Sequence, residues 1–359
     1  MHKRYSSIEI FYGILFFVVH ICIEVISYML LYLKFSTFVA LSIILLYDYF
    51  AFVPQLIIGN WHNKHKTINI GYIGLIFFNV SIVLINTTNN VVYILAVLLL
   101  SFGNAILHEC GAIAVASVSK KNIFPSALFV SGGTIGIVIG TYLARIHASV
   151  NVLFIFVAII LIILALTDKT WCKENVSYID VNVVNFNYRP VMILIVAFVV
   201  VMLRSYMGFV APITWKETFF HTVILSLSLG IGKALGGYLC DVTSYRIVGF
   251  ISTLLCIPFI IFGSSNMFLS LLGLLLFSMT MSITYAMALS VIKNNPGVAF
   301  GVTTIGLFAG AAPLFFFKLS LHVNVLIIIF MSLLCFFLLQ MTLKKDLYGR
   351  AMRARSIGG

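Results

Sequence analysis

The feature that most constrains this 359-residue chain is its set of long apolar runs, each near the roughly 20 residues an α-helix needs to cross a bilayer. Twelve are legible: 8–33, 37–59, 67–86, 91–117, 123–145, 148–167, 190–215, 218–240, 246–264, 266–292, 297–318 and 322–343. One long polar stretch, 168–189, divides them six and six, and the other connections are only a few residues long. Backbone polar groups in lipid must be satisfied within their own segment, so runs of this length are helices. The expectation is an all-α membrane protein of 12 transmembrane helices. It divides into a six-helix half over 1–167, a central loop over 168–189, a second half over 190–343 and a basic tail over 344–359. Only 9% of residues are charged, against about 25% in soluble domains, too few to clothe a water-facing surface. A soluble enzyme, a disordered chain and a fibrous protein are excluded on that ground. The first run is too long for the apolar core of a cleaved signal peptide and reads as a spanning helix.

Sorting the basic residues by side tests the count. Lys3, Arg4, Lys64, Lys66, Lys120, Lys121, Lys169, Lys173, Arg189, Arg246, Lys293, Lys344, Lys345, Arg350, Arg353 and Arg355 fall on one side. Lys34, Arg145, Lys216 and Lys318 fall on the other, a ratio of 16 to 4, with Arg204 and Lys233 left inside helices. The positive-inside rule then places both termini and the central loop in the cytoplasm, in a multi-pass protein of the cell (cytoplasmic or inner) membrane. The formal charge of +12 is therefore an orientation label, and no nucleic-acid partner is expected. The six cysteines include no CxxC pair and read as free buried thiols.

The two halves echo each other. Thr134-Ile135-Gly136 with Gly140 in the fifth run matches Thr304-Ile305-Gly306 with Gly310 in the eleventh, and each segment follows a proline, Pro125 or Pro296. Gly59-Asn60-Trp61-His62-Asn63-Lys64 likewise parallels Gly237-Tyr238-Leu239-Cys240-Asp241. Both echoes join helix n to helix n+6, the parallel repeat used by transporters with a midplane site. Gly132, Gly136 and Gly140, Gly232 with Gly236, and Gly306 with Gly310 are spaced for close helix packing.

The segment Gly232–Asp241 followed by Arg246 resembles the GxxxD(R/K)xGR loop signature of the major facilitator superfamily, with Val242 in the basic position and Ser244 where Gly is usual. The first copy keeps Gly59 and Lys64 but has Asn63 in place of the acid. Three further segments are similar to fosmidomycin-resistance-like facilitators. They are Asn104–Glu109 (GNAxFHP, with Glu109 where Pro is usual), Leu203-Arg204-Ser205 (LRS), and Asn295–Gly301. The resemblance implies a major facilitator fold working as a monomer by alternating access. It also implies proton-driven export of an organic solute and gating loops built on Gly59, Asn63, Lys64, Gly237, Asp241 and Arg246.

Ionisable groups inside spans are costly and are functional candidates by default. His20 and Glu24 are four residues apart, hence on one helix face. Asn104, His108 and Gly111 form a stripe, with Glu109 beside it, on the helix that lines the central cavity in the superfamily. Asp48 sits between two tyrosines, and Arg204 lies deep in the seventh run. An arginine that deep needs a carboxylate, carbonyl or water partner. A salt bridge of Arg204 with Asp48, Glu24 or Glu109 across the halves is one expectation, and a substrate anion is the other candidate. Ser278, Ser282 and Tyr285 form a mild polar stripe. His108-Glu109 begins like HExxH, but Ala112 removes the zinc pair. With no GxSxG, P-loop or GxGxxG context, no enzyme activity, cofactor or metal is expected. The function expected is transport of a small organic solute with protons as coupling ion, as drug or metabolite efflux or, alternatively, as nutrient uptake.

Overall fold

The computed structural model describes residues 5–33, 37–317 and 319–345, with 37–40 as backbone alone. Lys3, Arg4, Lys34, Lys318, Arg350, Arg353, Arg355 and the tail past 345 lie outside the described residues. The described residues are mostly helical. The N-terminal helices are α1 (Ser7–Tyr32), α2 (Thr37–Phe52), α3 (Gln55–Lys64), α4 (Ile70–Leu84), α5 (Asn90–Val118), α6 (Phe124–Arg145) and α7 (Leu153–Trp171). The C-terminal helices are α8 (Pro190–Val210), α9 (Phe219–Val242), α10 (Tyr245–Phe250) and α11 (Cys256–Phe262). They continue as α12 (Met267–Ser278), α13 (Thr280–Val291), α14 (Pro296–Ala311) and α15 (Leu321–Thr342).

Among the described residues, 11 helical segments are long and apolar enough to cross a membrane. Three are interrupted: α2–α3 near Pro54, α10–α11 by a π-turn over Ile251–Leu255, and α12–α13 at Met279. The third run of the sequence, 67–86, yields only the 15 residues of α4. At 1.5 Å per residue that is about 22 Å, short of a hydrocarbon core of about 30 Å. The physical reason lies at its start. Asn69 accepts a hydrogen bond from Gly71 N and caps the helix three residues into the run.

Glycine decides which helices touch. A Cβ on Gly132, Gly136 or Gly140 of α6 would strike the carbonyl oxygens of Phe17, Ile21 and Val25 in α1. On Gly306 or Gly310 of α14 it would meet those of Phe198 and Met202 in α8. The repeated Thr-Ile-Gly text is thus repeated packing: α6 lies on α1 as α14 lies on α8.

The linker after α7 is a strap rather than a solvated loop. Ile179, Val181, Val183 and Val184 are buried. Ile179 N donates to Ala116 O and Asp180 N to Lys120 O, each at 2.9 Å. Further on, Val183 N reaches Ser290 Oγ at 3.2 Å and Asn185 N reaches Thr342 O at 2.8 Å. The strap therefore ties the end of α5 to the ends of α13 and α15. Burial among these groups pushes the Tyr178 hydroxyl up to about 12.

Candidate functional site

Close packing of α1 on α6 brings His20 against the α6 backbone, where its Nδ1–H donates to Phe129 O at 3.0 Å. On α5, His108 Nδ1–H donates to the carbonyl of Asn104, one turn back, also at 3.0 Å. A carbonyl oxygen only accepts, so both Nδ1 atoms carry hydrogen. Each neutral ring then presents a bare lone pair at Nε2. The two Nε2 atoms face each other at 2.8 Å, with Glu24 Oε1 3.3 Å from His108 and 3.8 Å from His20. Two lone pairs and a carboxylate do not converge in a buried site without a cation among them. One added proton resolves the geometry, turning one ring into an imidazolium that donates to the other, with Glu24 as counter-ion. All three side chains are at least nine-tenths buried.

The same three donors have metal-ligand chemistry, a set the sequence did not single out. Tetrahedral zinc, with Zn–N near 2.0–2.1 Å, separates two nitrogens by about 3.3 Å. At 2.8 Å the pair is spaced for a shared proton. Asn104 extends the network: its Nδ2 lies 2.7 Å from Tyr47 OH, 3.2 Å from Ser27 Oγ and 3.5 Å from Glu24 Oε1. Tyr47 and Ser27 were not anticipated, although Tyr47 flanks Asp48 in the sequence.

The remaining candidates separate from this centre. Glu109 points away from His108, because adjacent residues on a helix diverge by about 100°. It is fully buried against Gly297 of α14, and neither oxygen finds a donor. Asp48, with Tyr28 and Tyr32, lines a cavity of about 820 Å³ reaching the far ends of α1, α6 and α8. Arg204 forms no salt bridge with Asp48, Glu24 or Glu109. Its guanidinium sits over the Phe277 ring and donates through Nη2 to Phe277 O. The break between α12 and α13 accounts for this. It leaves that carbonyl beside the Thr280 hydroxyl instead of within a continuous ladder. Ser278 lines a small cavity beside Arg204, whereas Ser282 donates to Lys233 O and Tyr285 is buried.

At the strap end the gating residues divide. Asp241 of α9 accepts from the Ile123 and Phe124 amides at the start of α6, at 3.0 and 2.9 Å, and from Tyr5 OH at 3.3 Å. Gly237 abuts Ala127 of α6, and Gly59 abuts Gly297 and Val298 of α14. Asn63 Oδ1 is buried with no donor, and Lys64 is exposed. Arg246 is half-buried and joins the region through its backbone, accepting from Gln340.

No protein-family model and no curated protein sequence matches the chain. Its fold does match solved structures. It is similar to the E. coli fucose:proton symporter FucP, with TM-score 0.69 and 12% identity over 94% of this chain and 99% of that one. A major facilitator superfamily transporter, FucP in the outward conformation, superposes with TM-score 0.68 and 13% identity over the same shares. The chain therefore has the fold of a major facilitator superfamily transporter.

Proposed function

We propose that this chain is a proton-coupled secondary transporter of a small organic solute, working by alternating access as a monomer in the cell membrane. Its twelve spans, counting the short α4, form two halves of six, and both termini face the cytoplasm. On that orientation the strap and the Asp241 latch close the cytoplasmic end, and the cavity of about 820 Å³ faces outward. The observation that carries proton coupling is the pair of imidazoles whose Nε2 atoms meet at 2.8 Å beside Glu24. With one proton aboard, the trio is neutral and holds α1 against α5. When the proton leaves, three acceptor groups confront one another in a low-dielectric site, and the α1–α5 contact is pushed apart. Asn104 extends the trio through Glu24, Ser27 and Tyr47, Asp48 supplies a carboxyl at the outward cavity, and Glu109 is a further protonatable group where α5 meets α14.

Export is the leading direction, on the Asn104–Glu109 and Leu203–Ser205 resemblances to fosmidomycin-resistance-like facilitators. Likeness to a fucose:proton symporter supports uptake as the second reading. Proteoliposomes holding a pH-sensitive dye separate the two. On adding a transported solute outside, antiport makes the lumen more alkaline and symport makes it more acidic. In His108→Gln the pH response is expected to fall at least about tenfold, because the imidazolium-to-imidazole bond is lost. Solute flux with no pH change in the unaltered protein defeats proton coupling.

A further inference from the structure

The proton trio uses only the N-terminal helices, yet among the described residues the C-terminal helices hold two cations, Arg204 and Lys233, that form no ion pair. Arg204 is 7% exposed, and its Nε and Nη1 have no acceptor. Lys233 lies midway along α9 and is partly buried. Among the described residues neither cation has a carboxylate within salt-bridge distance. Both line a cavity of about 150 Å³ walled by α6, α8, α9, α12, α13 and α14, with no Asp or Glu in its lining. The hydroxyls there cannot serve an incoming anion, because each already donates to a backbone carbonyl. Thr134 donates to Ser131, Ser205 to Leu307, Ser278 to Leu275, Thr280 to Phe277, and Thr284 to its preceding turn. The donors left unsatisfied are therefore Arg204 Nε and Nη1, buried beside the cavity, together with the Lys233 side chain in its wall.

An unpaired cation inside a span is costly, and two around one cavity more so. We propose that the transported solute is a small organic anion whose oxyanion head is held by Arg204 and Lys233, an assignment that rests on the transport reading above. Arginine supplies a planar fork that suits a carboxylate or phosphate, and lysine a point charge. The other walls, Val201, Leu229, Met281 and Leu307, are apolar and suit a compact hydrocarbon body.

Thermal unfolding of the purified full-length protein in nanodiscs tests this with isobutyrate and benzoate, their neutral amides, and inorganic phosphate. Anions are expected to raise the Tm, since a ligand that binds only the folded state stabilises it by mass action, while the amides leave it unchanged. Stabilisation by the carboxylates or by phosphate identifies which oxyanion the donors accept. Lys233→Gln is expected to weaken anion binding about tenfold, and Arg204→Gln to weaken it further. Should Arg204→Gln fail to fold, Lys233→Gln alone decides. Equal stabilisation by amides, unchanged anion binding in Lys233→Gln, or no stabilisation by any anion overturns the proposal. Anion binding without flux in proteoliposomes leaves this site standing and defeats the transport reading. Flux of a neutral solute with no anion binding does the reverse.

Discussion

Two contacts at the strap end join the N-terminal to the C-terminal helices, and they are built on different physics. The N-cap position of helix α6 is Ile123, which offers no side-chain cap. Asp241 reaches over from α9 and accepts its first amides. A carboxylate at a helix N-terminus satisfies orphan donors and meets the positive end of the dipole. Helix α14, the counterpart of α6 in the repeat, is capped from its own chain: Asn295 Oδ1 accepts from Val298 N at 3.2 Å. Here Gly59 lies directly on Gly297, where an added Cβ would come within 2.5 Å of the Gly297 carbonyl carbon. One contact is a charged hydrogen-bonded latch and the other a fit of bare backbone. Where the first helix position of α6 is Phe124, whose amide donates to Asp241, that of α14 is Pro296, which has no N–H for an acid at the Asn63 position to serve.

The comparison breaks first at Asp241. Asp241→Ala leaves two helix-terminal amides without their acceptor, a loss of about 2–5 kcal/mol from the closed state. Hydrogen exchange over 122–126 is expected to accelerate at least about thirtyfold, with each 1.4 kcal/mol worth a factor of ten. Unchanged exchange there removes the latch. Gly59→Ala comes next. Its methyl meets backbone rather than a movable side chain, and overpacking of this kind costs about 1–3 kcal/mol. The expected result is a strap end that no longer seals, read as increased exchange over 295–301 with 122–126 little changed. Equal loosening at both contacts would show that they form one unit rather than two.

Much of this molecule was legible beforehand, and the exceptions have physical causes. The apolar runs are helices because a run of about 20 apolar residues satisfies its own backbone groups only as a helix. The pairs His20/Glu24 and Asn104/His108 share faces because helices repeat every 3.6 residues. That the two pairs meet each other was not legible, since it depends on the α6 glycines setting the depth of α1. Of the partners expected for Arg204, the structure gives a carbonyl and not a carboxylate. Which carbonyl was not legible, because Phe277 O sits at a break in Ser278-Met279-Thr280, which has neither Gly nor Pro to announce it. The strap was hidden too: Ile179, Val181 and Val183 alternate with polar neighbours, and averaging over 168–189 conceals a buried face.

The smallest expected effects are also the sharpest test of the asymmetry. Asn295→Ala removes a local cap and should cost about 1 kcal/mol, read as a roughly fivefold faster exchange over 297–300. Asn63→Ala should cost less than about 0.5 kcal/mol, because its Oδ1 has no donor to lose. If the first loop still worked as its counterpart does, the order would invert, with Asn63→Ala loosening α14 and Asn295→Ala leaving it intact. Measuring both variants in one exchange experiment decides it, since the same reporter amides serve for each. The expected order, Asn295 above Asn63, places the cap of α14 within its own chain and leaves charge-dependent closure to Asp241 alone of the two loop positions.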